Sequence, residues 1–230
     1  MTIRHTAKTL TLVAASYFIC AGPSTASSGD ILVSPVLIHI SPADEKDSFI
    51  TDINNSVVPG LDLSTSSETL PAVGLTYMIT ETLAIESYLA MPPSHDIFIT
   101  GLPGVNKAGN ADMLPIVIFG QYHYKVPQSR LTFIGGLGVF YTLFQDIEVT
   151  DSVKQIDSTI KFIPEDSPGF AIQAGAQYAL NEKLYVRASY TKMYMEVDFE
   201  ITTSLPSLGN LTSTLTMDPE LFMLGVAYKL

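Results

Sequence analysis

Two side chains near the start of the chain have the residue types and spacing of a catalytic pair. His39 and Ser41 are two residues apart, so on a β-strand they share a face and the imidazole could activate the hydroxyl as a nucleophile. Such a pair also needs a carboxylate that orients the histidine. Asp44 and Glu45 are close in sequence, but Pro42 ends the strand before them. Because chance His-x-Ser pairs are common, we favour the interpretation that this protein is not an enzyme.

A second group of polar and charged residues falls on one face of segments whose other face is apolar. Glu86 and Arg187 are the natural ion pair in this group, because a charge removed from water needs a partner. We predict a buried polar network that consists of Glu86, Gln121, His123, Gln173, Gln177 and Arg187. The network could be a structural plug or a selectivity element, and we favour the plug.

A third group combines methionine with aromatic residues. Flexible, polarisable methionine beside aromatic rings is typical of pockets that accept varied apolar ligands. We place this group at the opposite end of the same interior from the polar network, and it comprises Met78, Tyr88, Met91, Phe140, Met193 and Met195. From the residues alone, a ligand pocket and ordinary packing explain the group equally well.

Acidic residues concentrate in one polar region of the second half of the chain. They could bind Ca²⁺, or bridge lipopolysaccharide phosphates through divalent ions, but the spacing of an EF-hand is absent. We therefore predict solvated surface loops, with no metal site and no cofactor, around Asp146, Glu148, Asp151, Asp157, Glu165 and Asp166.

The composition indicates a membrane environment for these groups. Of the 230 residues, 47% are apolar and only 15% are charged, against a usual charged fraction of about a quarter. Yet no stretch reaches the roughly 18 uncharged apolar residues that a membrane-spanning helix needs.

The first 26 residues have the pattern of a secretory signal peptide. Arg4 and Lys8 precede an apolar run from Leu10 to Ile19, and small residues follow it. We predict cleavage after Ala26, which leaves residues 27–230 as one domain without a cysteine. The formal charge then changes from −11 to about −13, and so acidic a chain is not expected to bind nucleic acid.

After residue 26 the apolar residues recur with a period of two. This alternation predicts β-strands rather than helices. We count eight of them, at about 30–40, 73–79, 83–90, 114–124, 131–142, 170–178, 184–191 and 222–230.

Short and long connections alternate between these strands. The connections near residues 81, 127 and 182 are short turns, whereas those at about 41–70, 92–112, 145–168 and 197–215 are long. This order predicts an all-β fold, an eight-stranded antiparallel transmembrane β-barrel with short periplasmic turns and four long extracellular loops. Seven tyrosines flank the apolar face, as in an aromatic girdle. A soluble β-sandwich or lipocalin-like barrel is the weaker alternative.

The final stretch LFMLGVAYKL is an apolar strand that ends without a polar tail. A lipid environment offers no partner to an open sheet edge, so we expect this strand to pair with the first strand and close the barrel. An even number of strands then places both termini at the periplasmic end. Tyr228 and Leu230 resemble the terminal signal that the barrel-assembly machinery reads in transmembrane barrels generally.

Several longer segments resemble the outer membrane protein W (OmpW) family. They are PAVGLTYMITETLAIESYLAMPPSHDI, LPIVIFGQYHYK, FIGGLGVFYTLF, GFAIQAGAQYALNEKLYVRASYTKMYMEVDFEI and MDPELFMLGVAYKL, together with the opening DILVSPVLIHISP. The resemblance covers nearly all of residues 27–230. It implies a barrel in the bacterial outer membrane, in contact with lipid and lipopolysaccharide, whose narrow, apolar lumen passes or binds small hydrophobic molecules and releases them sideways into the bilayer.

The resemblance tips the methionine and aromatic group toward a ligand pocket. The residues agree in part, because an eight-stranded barrel is just wide enough for side chains to fill its interior. The alternative is a structural or adhesive barrel with a plugged lumen, whose surface loops carry the function.

Overall fold

The computed structural model describes residues 26–43, 49–102, 104–206 and 209–230. The predicted leader therefore lies outside the described residues, apart from Ala26. Within the described part of the chain, no helix is long and apolar enough to cross a membrane.

The described residues form thirteen β-strands and one short helix. In chain order these are β1 Ile31–Ser41, β2 Ile50–Thr51, β3 Asp62–Thr65, β4 Glu68–Met78, β5 Leu83–Ala90, β6 Ser94–Thr100, β7 Lys107–Lys125, β8 Leu131–Val149, α1 Asp151–Lys154, β9 Lys161–Pro164, β10 Ser167–Ala179, β11 Leu184–Thr202, β12 Leu211–Met217 and β13 Glu220–Lys229.

Eight of these strands close into an antiparallel barrel, as the sequence predicted. The order around the wall is β1, β4, β5, β7, β8, β10, β11 and β13, and β13 pairs with β1. At this seam Val33 lies opposite Tyr228, and the Leu230 amide donates to the Ile31 carbonyl at 3.0 Å. Closure gives the last strand a partner on both sides, which satisfies backbone groups that lipid cannot.

Side chains alternate between the outside and the lumen along every barrel strand, as the apolar period predicted. The outward face is half exposed and apolar, whereas the next residue along each strand is buried in the lumen. Examples of the outward face are Val73, Leu75, Ile116, Ile118, Leu137, Phe170, Ile172 and Leu224. This arrangement, apolar outside and mixed inside, suits a barrel in lipid.

The two ends of the barrel differ in length. Three short turns join β4 to β5, β7 to β8 and β10 to β11 at what we call the short-turn end. At the other, long-loop end, β7, β8 and β11 continue far past their neighbours, each over 19 residues. Strands β6, β9 and β12 pair with these extensions.

The four long connections are present as predicted, and much of their length is β-strand. A hydrophobic core fills the extended sheet, and its buried members are Phe49, Ile97, Ile99, Val105, Ala108, Ala111, Val153, Phe162, Phe199, Ile201 and Leu211. These apolar residues are spaced widely among serine, threonine, proline and acids, so only pairing across the sheet brings them together.

Most of the acidic residues of this region are exposed, but Asp146 and Glu148 lie in β8 and Asp151 lies in α1 rather than in loops. Asp146, Glu148, Asp151, Glu165 and Asp166 are exposed, but Asp157 is buried. Its carboxylate accepts hydrogen bonds from the Thr159 amide at 2.9 Å, the Thr203 hydroxyl at 2.6 Å and the Ser204 amide at 2.8 Å. Asp157 thus ties the segment after β8 to the segment after β11. Among the described residues, no group of three metal-ligating side chains is present.

Candidate functional site

A buried ion pair crosses the lumen in its short-turn half. Strand β5 directs Glu86 inward and β11 directs Arg187 inward, and their exposed fractions are 0% and 3%. The guanidinium is bidentate: Nη1 binds Glu86 Oε1, and Nη2 donates to Oε2 at 2.9 Å. Because neither charge reaches water, each needs the other, and the pair spans the interior between opposite walls of the barrel.

Neutral side chains complete the coordination of the Glu86 carboxylate. Hydroxyl groups of Thr76 and Tyr88 donate to it, each at 2.7 Å, and the Gln121 amide donates to Oε2. Gln121 also donates to Gln173 Oε1 at 2.6 Å. His123 belongs to the same network, because its Nε2 lies 2.9 Å from Gln121 Oε1. We call this network the polar plug; it consists of Thr76, Glu86, Tyr88, Gln121, His123, Gln173 and Arg187.

The polar plug contains five of the six residues that the sequence placed in a network. Gln177 is the exception, since its Oε1 is buried without a hydrogen-bond partner among the described residues. Thr76 and Tyr88 were missed as members. Thr76 is two residues before Met78, and Tyr88 is two residues after Glu86. Nothing in the sequence distinguished either of them from a residue that only packs in the lumen.

A cavity of about 360 Å³ lies on the long-loop side of the polar plug. Its walls are apolar: Phe119, Met193 and Met223 face it from the lumen, and Ile38 and Leu221 contribute aliphatic surface. The ring of Tyr88 also lines it, although its hydroxyl belongs to the polar plug. The volume falls in the lower part of the roughly 300–1,000 Å³ range of small-molecule pockets.

The cavity crosses the barrel wall between β5 and β7. Besides lumen residues, it is lined by side chains on the outer face, among them Leu89, Leu114 and Ile116. The register between β5 and β7 ends at Ser87 opposite Ile118. The chain returns to β7 at Pro93, whose carbonyl accepts from the Met113 amide at 3.1 Å, and pairing continues from Ser94 of β6. Between these points β5 and β7 are not paired, and we call this gap in the barrel wall the side opening.

Three prolines reduce the number of backbone hydrogen-bond donors along the side opening. Pro92 and Pro93 follow β5, and Pro115 lies within β7 on the facing edge. Proline has no backbone N–H, so these positions present no donor that lipid would leave unsatisfied. At the end of the side opening nearer the short turns, the Ser87 hydroxyl donates to the Val117 carbonyl at 2.8 Å and so satisfies a backbone acceptor.

Two narrower cavities lead from the side opening toward the long-loop end. The first, about 60 Å³, shares Met193, Leu221 and Pro115 with the main cavity and adds Met195. The second, about 40 Å³, shares Met113 and Met217 with the first and reaches Phe199 in the extended sheet. The three spaces form an apolar series from the extension to the wall.

Glycines in the lumen make room for the aromatic rings of the cavity. A Cβ on Gly74 would lie 2.9 Å from the Tyr88 ring, and one on Gly138 would lie 2.6 Å from the Phe119 ring. Both glycines face inward on strands next to the ring that they accommodate. Each glycine therefore leaves room for the neighbouring ring close to the wall.

The structure divides the predicted methionine and aromatic group. Tyr88, Met91 and Met193 line the main cavity, and Met195 lines the adjoining one. Phe140 is buried in the same cluster as Phe119 and Met193 but packs behind the cavity.

The placement of Met78 with this group was wrong. Met78 is fully buried at the short-turn end, in a cluster with Leu32, Ala84, Tyr185 and Ala227. Strand β4 runs toward a short turn, so its last residue lies on the far side of the polar plug from the cavity.

His39 and Ser41 lie on the outer face, as a shared strand face required. His39 is exposed, and its Nδ1 is 2.8 Å from the Thr69 hydroxyl on the neighbouring strand. The two acids that could have oriented the imidazole, Asp44 and Glu45, lie outside the described residues.

Comparison with known proteins agrees with this architecture. The model of the OmpW family matches residues 27–230. Outer membrane protein W of Salmonella typhi is 26% identical over 219 residues, which is 94% of this chain and 89% of that protein. The crystal structure of OprG from Pseudomonas aeruginosa superposes with a TM-score of 0.82 at 24% identity, over 90% of this chain and 98% of that one. The solution structure of E. coli outer membrane protein W gives 0.58 at 20% identity, over 89% and 99%.

Proposed function

Because this chain belongs to the OmpW family of outer-membrane barrels, we propose that it carries small hydrophobic molecules from the cell exterior into the outer membrane through its side opening. The observation that carries the proposal is the cavity whose lining combines lumen residues such as Met193 with lipid-facing residues such as Leu89. A molecule in this cavity touches the interior of the barrel and the membrane at once.

The polar plug supports a sideways route rather than a route along the barrel axis. An apolar molecule moving straight down would have to separate Glu86 from Arg187 and strip donors from the carboxylate. Breaking a buried pair in this way costs several kcal/mol, whereas the side opening presents mainly apolar side chains. The proposed path therefore bends at Met193 and leaves between β5 and β7.

The proposal includes the orientation of the barrel. The long-loop end faces the exterior, where lipopolysaccharide surrounds the extended sheet, and both termini face the periplasm. The barrel-assembly machinery then reads the last strand during insertion, with Tyr228 and Leu230 as the terminal signal. Both side chains point outward, with exposed fractions of 44% and 66%, which leaves them accessible to another protein before closure.

A paired substitution tests the pocket. The protein is refolded into lipid nanodiscs and titrated with an apolar fluorescent dye, and the absence of tryptophan keeps the protein's own emission low. Met193→Gln places an amide in the cavity at nearly constant size and is expected to weaken saturable binding. Met78→Gln makes the same change on the far side of the polar plug and is the matched control, with no effect expected.

The rival function is a structural or adhesive barrel whose long-loop end makes the relevant contacts. It predicts no saturable binding beyond that of empty nanodiscs, and equal behaviour of wild type and Met193→Gln. Either result would overturn the proposal and direct attention to the extended sheet.

A further inference from the structure

Nearly every polar side-chain group on the wall of the main cavity already has a partner. The Ser87 hydroxyl donates to the Val117 carbonyl, and the Tyr88 hydroxyl donates to the Glu86 carboxylate. Thr191 is different: it lines the cavity and is 1% exposed, and its hydroxyl has no hydrogen-bond partner among the described residues. Native proteins rarely leave a buried hydroxyl unsatisfied, so each such group calls for an explanation.

The position of Thr191 shows which part of a ligand it would meet. On β11 it lies directly opposite Gln173, an outer member of the polar plug, and two residues before Met193. Thr191 therefore stands at the boundary between the polar and the apolar parts of the lumen. A ligand whose apolar body follows Met193 toward the side opening would present its inner end at Thr191.

The charge of the surroundings restricts the polar group of that ligand. Both terminal nitrogens of the Arg187 guanidinium bind Glu86, and the described residues that line the cavity include no lysine or arginine that could neutralise a carboxylate. The carboxylate of Glu86 is likewise satisfied by four side chains and does not await an ammonium group. A charged head would lose its hydration without compensation, whereas a neutral hydroxyl or carbonyl needs only one partner.

We propose that the preferred ligand is a small neutral aliphatic molecule with one terminal hydroxyl or carbonyl group, and that Thr191 is the residue that selects it. This inference rests on the proposed function and names its substrate class. Thr191 donates to a carbonyl or alcohol oxygen, or accepts from an alcohol, while the remainder of the molecule occupies the apolar cavity.

The test compares three eight-carbon probes, 1-octanol, octane and octanoate. The protein, labelled with ¹³C at its methionine methyl groups, is titrated in nanodiscs, and the saturable shifts of Met193 and Met223 report occupancy of the cavity. One hydrogen bond should make 1-octanol bind several-fold and up to about tenfold more tightly than octane. Octanoate should bind more weakly than either.

Thr191→Val removes the hydroxyl and keeps the branched shape, so it should abolish the preference for 1-octanol without weakening octane. Ser34→Ala is the matched control, because its buried hydroxyl also has no hydrogen-bond partner among the described residues but is not part of the cavity lining, and it should leave the preference intact. Unchanged folding of both variants is checked by the gel migration of unboiled protein.

The outcomes separate the two levels of the proposal. Equal affinities for octane and 1-octanol in wild type, or a preference that survives in Thr191→Val, would overturn the role of Thr191 while leaving the pocket in place. The absence of saturable shifts with any probe would instead overturn the proposed function.

Discussion

The ion pair of the polar plug gives the sharpest energetic prediction. Arg187→Met removes the guanidinium and keeps much of the aliphatic volume, so it leaves Glu86 buried with only neutral donors from Thr76, Tyr88 and Gln121. Removing one partner of a buried pair typically costs about 3–5 kcal/mol. We therefore expect the free energy of unfolding of Arg187→Met to fall by about that amount.

A double variant shows whether the loss arises from the stranded charge. Glu86→Gln combined with Arg187→Met removes both charges, and replacing a buried pair by neutral residues is often close to neutral for stability. The double variant should recover most of the loss, and with Glu86→Gln alone as the second single variant, the double-mutant cycle reports the coupling between the two residues.

The assay is equilibrium unfolding by urea in lipid vesicles, followed by the gel migration of unboiled samples. Lys107→Met is the control for loss of a lysine or arginine charge in general. Lys107 pairs with Asp96 at the long-loop end, where both side chains are more than 40% exposed, and such pairs contribute at most about 1 kcal/mol. If Arg187→Met loses no more stability than Lys107→Met, the lumen is hydrated and the argument for a closed axis fails.

Three further predictions concern the cavity and the extension. Asp157 has a pKa well below its ordinary range because Thr203 and Thr159 donate hydrogen bonds to it. The stabilising effect of its carboxylate is therefore complete above the ordinary carboxyl pKa of about 3.9. It disappears as the pH falls through the lower pKa of the folded state. Hydrogen exchange at the Ser204 amide should accelerate under such acid, and in Asp157→Asn at neutral pH; equal protection in wild type and variant would contradict the clamp. Pro115→Val restores a backbone donor at the side opening; if it completes one hydrogen bond of about 1 kcal/mol, dye release measured by stopped flow should slow about fivefold, and an unchanged rate would mean that the edge is not closed by this bond. Gly138→Ala forces the Phe119 ring away from the wall and should lower dye affinity, with a stability cost of about 1–3 kcal/mol; unaltered affinity would show that the ring moves elsewhere.

Much of the barrel could be predicted from the sequence because one physical constraint acts on every strand. Lipid outside and a packed lumen inside impose a period of two, so the inward direction of Glu86 and Arg187 followed from counting along β5 and β11. Their pairing followed from the cost of burying a lone charge.

Features that depend on the relative height of strands could not be predicted in the same way. The alternation of apolar residues shows that Met78 faces the lumen but not where it lies along the barrel axis. Only the register of β4 with β5 places it on the short-turn side of the polar plug. The same holds for the extended sheet, where Phe49, Phe162 and Phe199 come from three separate connections. Each connection by itself reads as polar loop, and the shared core exists only after pairing.

The side opening shows a third kind of limit. Pro92, Pro93 and Pro115 stand in the sequence, yet their effect depends on two facing edges that lie more than twenty residues apart. Only the pairing of β5 with β7 shows that the prolines border the same gap.

Transfer of an apolar dye from nanodisc-bound protein into the surrounding lipid reports directly on the sideways route. Leu89→Trp places a large ring at the mouth of the side opening, and Leu137→Trp places the same ring on the outer face of β8, away from the cavity; the two leucines are 75% and 70% exposed. We expect slower transfer in Leu89→Trp and wild-type transfer in Leu137→Trp. Equal transfer in both variants would contradict a sideways route between β5 and β7.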